Sequence, residues 1–222
     1  MDGDCAALLA LCCYFGFGTV INYQRKEHWC HVAIASMTLL GQGVGYFFTD
    51  QFDKSAVPLR ILAEAGVSVA QNLFGHQMIF GRGVVEDRPG GAEMNRQASQ
   101  QGYSPGTCDL AACLKFGFGV EIDPEKAVTL YRQAVSQGLS TAYNNLGRCY
   151  EDGFGVTKDL KEAFCLFQKA AWCGYPSGWY NLGYCYDHGE GVGMSRREAR
   201  RCFEIAAALG DDEAMKILMM PS

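Results

Sequence analysis

Apolar residues recur at helical spacing in the middle of the chain. Ala142, Leu146 and Tyr150 lie four residues apart, which predicts that they share one face of an α-helix. Gly153 follows directly, and glycine tolerates the positive φ that closes many helices. The pattern therefore predicts a first helix over about 141–152 that ends in a glycine turn.

A second helix is predicted after this turn. Asp159 is a favourable N-cap, and Glu162 lies three residues further on, as in a capping box. Apolar residues then recur at helical spacing, at Ala163, Leu166, Phe167 and Ala170. Gly174 ends this segment, so we predict a second helix over about 159–173. The unit is thus a pair of helices, each closed by a glycine turn.

The same unit recurs with a period of 36 residues. The pattern Gly-x-Gly-Val begins at Gly81, Gly117, Gly153 and Gly189. Two further columns keep this period, namely Ala98, Ala134, Ala170, Ala206 and Gly102, Gly138, Gly174, Gly210. A fixed period of this length is the signature of stacked helical or strand units. We therefore predict an all-α array almost without strand, with further helices at about 177–188 and 195–209.

This period divides the chain into parts. Residues 67–222 form the regular region, with four repeats at about 67–102, 103–138, 139–174 and 175–210. Residues 211–219 fit a lone helix, which would cap the open face of the last repeat. Residues 1–66 are predicted to form irregular or degenerate repeats.

Two departures from the period lead to further expectations. Pro89-Gly-Gly91 occupies the expected start of a second helix, so we expect that helix to begin late, near Ala92. Upstream, Gly41-Gln-Gly43-Val44 has the form of another glycine turn, followed by an insertion over 45–49. Gly16-Phe-Gly18 has the same form but precedes it by too few residues for a full repeat.

Two stretches carry a recognisable motif. They are Tyr143-Asn-Asn-Leu-Gly-Arg-Cys-Tyr-Glu-Asp-Gly-Phe-Gly-Val-Thr-Lys-Asp159, with Lys161-Glu-Ala163 after it, and Trp179-Tyr-Asn-Leu-Gly-Tyr-Cys-Tyr-Asp-His-Gly-Glu-Gly-Val192. Both resemble the Sel-one-like repeat, a relative of the tetratricopeptide repeat. This resemblance implies a right-handed α/α superhelical solenoid of roughly five or six helical hairpins, whose first helices line a concave surface.

The resemblance also implies a function. Such arrays usually bind other proteins, so we expect a protein–protein interaction scaffold or adaptor and not an enzyme. The alternative is an enzyme, or the accessory part of one, with an unrecognised site in the array. A fold alone does not decide between these classes.

The expected binding surface is the side of the first helices that faces away from their packing side. If Ala142, Leu146 and Tyr150 point inward, eight other side chains lie on or beside the opposite stripe. They are Asn144, Asn145, Arg148, Asp152, Tyr180, Asn181, Tyr184 and His188. Earlier copies place Cys108, Ala112, Phe116 and Asn72, His76, Phe80 there. Arginine and tyrosine anchor interfaces, and asparagine can bond a peptide backbone. We expect these eight residues to bind a partner protein or an extended peptide. The alternative is an ordinary exposed surface.

Composition argues against several other classes. Of the 222 residues, 49% are hydrophobic and the net charge is −5, which disfavours both disorder and a nucleic-acid partner. The apolar run from Ala6 to Ile21 has an acidic flank and is interrupted by glycine. We read it as a packed helix, neither a signal peptide nor a membrane insertion.

The eleven cysteines include no C-x-x-C pair, and histidine is scarce, so a zinc site is not expected. We expect reduced, mostly buried thiols in a cytoplasmic protein. Cys113, Cys149 and Cys185 share one column and should be packed between helices. The alternative is a secreted, disulfide-bonded array.

No catalytic or cofactor motif stands out. The glycine pairs follow helices and lack the third glycine and the Lys-Ser/Thr of a phosphate loop. His28-x-x-His31 could put two rings on one helix face, but no third ligand accompanies them. We therefore predict no catalytic residues, no metal and no cofactor.

Overall fold

The computed structural model of the chain describes residues 6, 10, 11, 30–34 and 38–219. Within 38–219 it contains eleven α-helices and no strand. They are α1 (Leu39–Phe48), α2 (Phe52–Glu64), α3 (Ser68–Phe80), α4 (Arg88–Gln100), α5 (Ser104–Phe116), α6 (Pro124–Ser136), α7 (Ser140–Asp152), α8 (Leu160–Trp172), α9 (Pro176–His188), α10 (Arg196–Ala208) and α11 (Asp212–Met219). The expectations for Gly16-Phe-Gly18 and for His28 lie outside these residues.

Consecutive helices pair into hairpins, from α1 with α2 to α9 with α10, and α11 follows alone. Each helix packs mainly against its neighbours in the chain, as in a solenoid. The predicted all-α architecture is therefore confirmed. The helices expected at about 141–152 and 159–173 are observed as α7 and α8, with each end shifted by no more than one residue.

The first glycine of each Gly-x-Gly-Val pattern closes a first helix. Gly153 caps α7 with φ 73°, and its backbone N–H donates to the carbonyl oxygen of Cys149. Gly189 caps α9 in the same way with φ 72°. Residues with a Cβ are strained in this left-handed conformation, so the period of the glycines follows from backbone geometry. The expected positive φ at both residues is confirmed.

Each second helix of the regular repeats starts at a polar cap. The Asp159 carboxylate accepts hydrogen bonds from the backbone N–H groups of Lys161 and Glu162, at 3.0 and 3.1 Å. The backbone N–H of Asp159 itself donates to the carbonyl oxygen of Tyr150 at 2.9 Å. Asp159 therefore starts α8 and also ties it to the end of α7.

The late start expected for α4 is wrong. This helix begins at Arg88, because the Asp87 side chain caps it by accepting from the N–H of Gly90 at 2.9 Å. Proline is tolerated in a first helical turn, where its missing N–H has no helical partner to lose. Gly91 is needed for packing, since a Cβ there would lie 2.6 Å from the carbonyl oxygen of Gly75.

The glycine turn expected at Gly41-Gln-Gly43-Val44, with an insertion after it, is also wrong. These residues lie inside α1. A Cβ on Gly43 would come within 2.8 Å of the Leu59 side chain, so the glycine allows α1 and α2 to pack closely. The chain turns instead at Thr49 and Asp50, where Asp50 has φ 57°.

Small side chains occupy the closest contacts between helices. The alanines of the repeated column are fully buried, at Ala98, Ala134, Ala170 and Ala206. Cys113, Cys149 and Cys185 are buried as expected. At the C-terminal end of the stack, Ala214 of α11 packs into a cluster with Phe203 and Ala206.

Candidate binding surface

Side-chain hydrogen bonds join the first helices of successive repeats. Asn181 of α9 donates through Nδ2 to Oδ1 of Asn144 in α7 at 2.7 Å. Asn72 of α3 donates in the same register to Oδ2 of Asp109 in α5, also at 2.7 Å. Nδ2 of Asn145 in α7 lies 3.5 Å from the Sγ of Cys108 in α5. The first helices thus form one continuous face, which we call the inner surface.

Exposure on the inner surface changes along each first helix. Positions in the first half of these helices are buried, namely Asn72, Cys108 and Asn144. Positions at the last turn are exposed, namely Phe80, Phe116, Asp152 and His188. Successive first helices therefore bury side chains between their N-terminal halves, while side chains at their last turns are open to solvent.

Three of the eight predicted residues belong to the contacts between helices. Asn144 is buried, so the expectation that it points away from the packing side is wrong. Asn145 and Asn181 are half-buried and make the bonds described above. A buried amide that loses its partner is costly, so these asparagines fix the spacing between helices. A direct contact between them and a partner stays a prediction.

Tyr180 also packs between helices. Its ring centroid lies 5.8 Å from that of Phe203 on α10, and its side chain is half-buried. Burial raises the pKa of the Tyr180 hydroxyl, with the nearby Glu213 carboxylate adding to the effect. This tyrosine therefore joins α9 to its own second helix.

The remaining predicted residues form an exposed group. The Tyr184 and His188 rings stack with their centroids 4.0 Å apart. Arg148, one repeat before Tyr184, is exposed, and no ion pair to it occurs within residues 38–219. Asp152 is exposed too and pairs with Lys115 of α5 at 3.3 Å. The structure thus brings a cation, two stacked rings and an ion pair to the open half of the inner surface.

A cavity lies at the other end of the inner surface. Its volume is about 370 Å³, and it is bounded by the end of α1 and the turn after it, by α3, by α5 and by Thr141 and Asn145 of α7. His76 and Asp109 are among its polar lining groups. The sequence pattern missed this cavity because one wall comes from the end of α1 and the turn after it, where the Gly-x-Gly-Val turn of the regular repeats is absent.

Two buried thiols of α5 lie on or beside the inner surface. Burial raises the pKa of the Cys108 thiol to about 12 and that of Cys113 to about 11, so both stay protonated at neutral pH. Within the described part of the chain, no group of three His, Cys, Asp or Glu side chains is placed to hold a metal ion. What the surface offers is hydrogen bonding, charge and aromatic stacking.

None of the helices in the described ranges combines the length and the apolar character needed to cross a membrane.

The regular hairpins define an α/α repeat solenoid, in which a glycine closes each first helix and an Asp or Ser side chain caps each second helix. The sequence also matches one known family of such solenoids. A sequence model of the Sel1 repeat matches residues 3–25, 104–139, 140–175 and 179–211, which is more than half of the chain. The chain belongs to the Sel1 repeat family.

Solved structures agree with this fold. A Sel1 repeat protein from Oxalobacter formigenes is 25% identical, with a TM-score of 0.64 over 98% of this chain and 65% of that one. A protective antigen of uropathogenic Escherichia coli with an SLR fold is 23% identical, with a TM-score of 0.64 over 98% of this chain and 48% of that one. The present chain therefore spans less than two thirds of either. No curated protein matches it.

Sel1 repeat proteins generally act as scaffolds for protein–protein interaction and are typically not enzymes. The family therefore supports a protein as the partner, and the partner's identity and the surface that meets it are matters for proposal.

Proposed function

We propose that the chain is an adaptor that binds a protein partner through the open half of its inner surface, around Arg148, Tyr184 and His188. The observation that carries this proposal is the placement of these side chains. They are exposed on successive first helices, whereas Asn144, Asn181 and Tyr180 pack between helices.

The chemistry of this group suits an interface. Tyr184 offers a large amphipathic surface with few rotatable bonds, and its stacking on His188 limits its motion further. Arg148 offers five donors in a planar fork that matches a carboxylate of the partner. Because no ion pair within 38–219 involves Arg148, binding breaks no such pair.

The asparagine contacts support the same proposal. Asn181 holds α9 to α7 through Asn144, so the distance between Arg148 and Tyr184 is set before a partner arrives. An interface ordered in advance loses less conformational entropy on binding. Asn144, Asn145 and Asn181 therefore act in this proposal by positioning the exposed residues, and Tyr180 by fixing α9 on α10.

The proposed adaptor is cytoplasmic. Apart from Cys30, seven described cysteines carry free thiols, and five of these are buried, as is usual for proteins of a reducing compartment. The cytoplasmic location is tested by isolating the protein without reductant, unfolding it and counting its free thiols. Titration of nearly all eleven cysteines supports the proposal, whereas titration of only a few indicates the disulfide-bonded, secreted alternative.

The binding proposal is tested by quantitative affinity capture from cells that express the chain. The test variant is Arg148→Ala, Tyr184→Ala, His188→Ala, and it leaves the packed Tyr180 in place. The matched control is Arg200→Ala, Trp172→Ala, which removes an exposed arginine and an exposed aromatic from the second helices. We expect the test variant to melt like the wild type and to lose captured proteins that the control retains. Equal capture by both variants would show that binding lies elsewhere.

A further inference from the structure

The cavity at the N-terminal end of the inner surface contains a carboxylate that forms no ion pair within the described residues. Asp109 is half-buried on α5 and lines this space of about 370 Å³. Its Oδ2 accepts from Nδ2 of Asn72, which is almost fully buried and also donates to Asn95. Within residues 38–219 no lysine, arginine or histidine forms an ion pair with Asp109. The charge of this carboxylate is therefore stabilised by the Asn72 hydrogen bond and by no ion pair.

Burial is the main influence on Asp109. It raises the pKa of the carboxyl to about 6, and the hydrogen bond from Asn72 opposes that rise only in part. At neutral pH the group is still mostly ionised, in surroundings that solvate it poorly. A positively charged guest would relieve this cost.

His76 adds a second polar group to the same cavity. Burial, helped by the charge of Arg82, lowers the pKa of the His76 imidazole to about 4, so the ring is neutral at pH 7. Its Nδ1 is buried and has no hydrogen-bond partner within the described residues. With the proton on Nε2, this Nδ1 can accept a hydrogen bond. The cavity lining therefore includes a carboxylate and an imidazole whose Nδ1 makes no hydrogen bond within the described residues.

Aromatic rings form the wall next to these groups. Phe47 packs edge-on against His76 at 5.5 Å and against Phe52 at 5.5 Å. Arg82 also lines the cavity, and its guanidinium lies 5.2 Å from the Phe52 centroid and 5.6 Å from that of Phe80, so the aromatic rings here already contact one guanidinium. Within residues 38–219, Arg82 forms no ion pair with Asp109, so this carboxylate is still available to a second cation.

The lining groups discriminate between classes of guest. An acidic side chain would meet two lining carboxylates, Asp50 and Asp109, against the single positive charge of Arg82. An apolar side chain would remove water from Asp109 and His76 without replacing its hydrogen bonds, which is costly. A guanidinium group carries a charge, several donors and a flat face that stacks on aromatic rings. A cavity of this size also lies within the range of about 300–1,000 Å³ that is usual for ligand pockets.

We propose that this cavity receives an arginine side chain of the bound partner, which donates to Asp109 and lies against the ring of Phe47. The inference rests on the proposed function, because the cavity belongs to the same inner surface. It specifies the partner further as a protein segment that carries an exposed arginine.

The test starts from a phage library of random twelve-residue peptides selected on the intact chain. We expect enriched peptides to carry arginine at a fixed position. Binding of the best synthetic peptide is then measured by fluorescence anisotropy, beside a version with citrulline, the neutral isostere, in place of that arginine. Each peptide is measured against the wild type, against Asp109→Asn and against the control Glu125→Gln, which removes an exposed carboxylate from the second helix α6.

Asp109→Asn and the citrulline peptide should each weaken binding at least about tenfold, and their combination should weaken it little further. Glu125→Gln should have no effect. Asp109→Asn keeps an oxygen that can accept from Asn72, and circular dichroism with a thermal melt verifies its fold. As a second readout, N-acetyl-arginine amide should shift the side-chain NMR signals of Asn72 and Asn145 in the wild type, and the citrulline amide should not.

Enriched peptides without arginine, no enrichment at all, or equal binding by the Asp109→Asn protein would each overturn the proposal. The capture experiment uses Arg148, Tyr184 and His188, so its outcome is independent of Asp109. If the peptide experiment fails and the capture experiment succeeds, the arginine pocket is excluded and the adaptor function is retained.

Discussion

Gly155 of one repeat lies directly against the carbonyl group of Pro124, the first residue of the preceding repeat's second helix. The second glycine of two other Gly-x-Gly-Val patterns makes the same contact, Gly119 with Arg88 and Gly191 with Leu160. In each pair the glycine lies thirty-one residues after its partner. Gly83 makes it against Phe52, so the irregular hairpin α1–α2 stacks on its neighbour in the regular register. This glycine column therefore sets the distance between successive hairpins.

Gly155→Ala should destabilise the stack because a Cβ has no room beside Pro124. The matched control is Gly138→Ala, where φ is +78° but nothing lies within 4 Å of the new Cβ. Both changes carry the strain of a positive φ, about 1–2 kcal/mol. We expect Gly155→Ala to cost roughly 2 kcal/mol more than Gly138→Ala in urea unfolding, because well-packed contacts resist added atoms. Equal losses in the free energy of unfolding would show that the contact between Gly155 and Pro124 accommodates a Cβ at no cost.

The Asn144–Asn181 hydrogen bond should couple α7 to α9. Single changes of either residue to Ala should each destabilise by about 1–2 kcal/mol, since the partner amide is left unsatisfied. The double variant should lose clearly less than the sum, with a coupling energy of about 0.5–1.5 kcal/mol. Thermal or urea unfolding of the four proteins measures this cycle. Strict additivity would mean that the bond contributes nothing to the stack.

Cys149 should be an inert packing residue. Burial raises the pKa of its thiol, and the side chain is fully inaccessible. Cys149→Ser should cost roughly 1–2 kcal/mol, because a hydroxyl replaces a thiol in an apolar seam. In the native protein a bulky maleimide should modify the exposed Cys165 quickly and Cys149 only after unfolding, as read by mass spectrometry of the peptides. Equal labelling rates would contradict the packing.

Asp109 should make the fold less stable as the pH rises. Its pKa is about 6 in the folded chain against 3.8 for the free group, so the folded state binds the proton more tightly between these values. Stability from this group is therefore lost as the pH rises from about 4 to about 6. His76, with its pKa lowered to about 4 from 6.5, acts in the opposite direction across that window.

A comparison of Asp109→Asn with the wild type at each pH isolates the carboxyl, since His76 is present in both. The difference in free energy of unfolding should grow in favour of the Asn variant from pH 4 to pH 7, by on the order of 2 kcal/mol. Urea titrations at half-unit pH steps provide the values. A difference that stays constant with pH would mean that Asp109 titrates normally.

The regular helices could be predicted from the sequence because their signals are local. Gly153 and Asp159 act within a few residues of themselves, as a helix cap and an N-cap. Gly43 and Gly91 were misread because a glycine that ends a helix and a glycine that lets two helices touch look alike in one dimension. Only the neighbouring helix, with Leu59 or Gly75 at its contact point, distinguishes them.

The candidate site was predicted in outline and not in detail. Helical spacing placed Arg148, Tyr184 and His188 on an exposed stripe, as the structure has them. The same spacing could not show that Asn144 is buried, because that depends on how far the next hairpin is shifted along the stack. A polar residue at one position and another thirty-seven residues later, as in Asn144 and Asn181, is the signal that could have found this contact.

The central claim is that the open half of the inner surface meets a protein partner. Site-specific photocrosslinking tests it most directly, with p-benzoylphenylalanine placed at Tyr184 in one protein and at the exposed Trp172 on the second-helix side in another. The probe at position 184 should give a discrete crosslinked partner in cells, and the probe at position 172 should not. Adducts from position 172 alone, or the same adducts from both positions, would contradict the account.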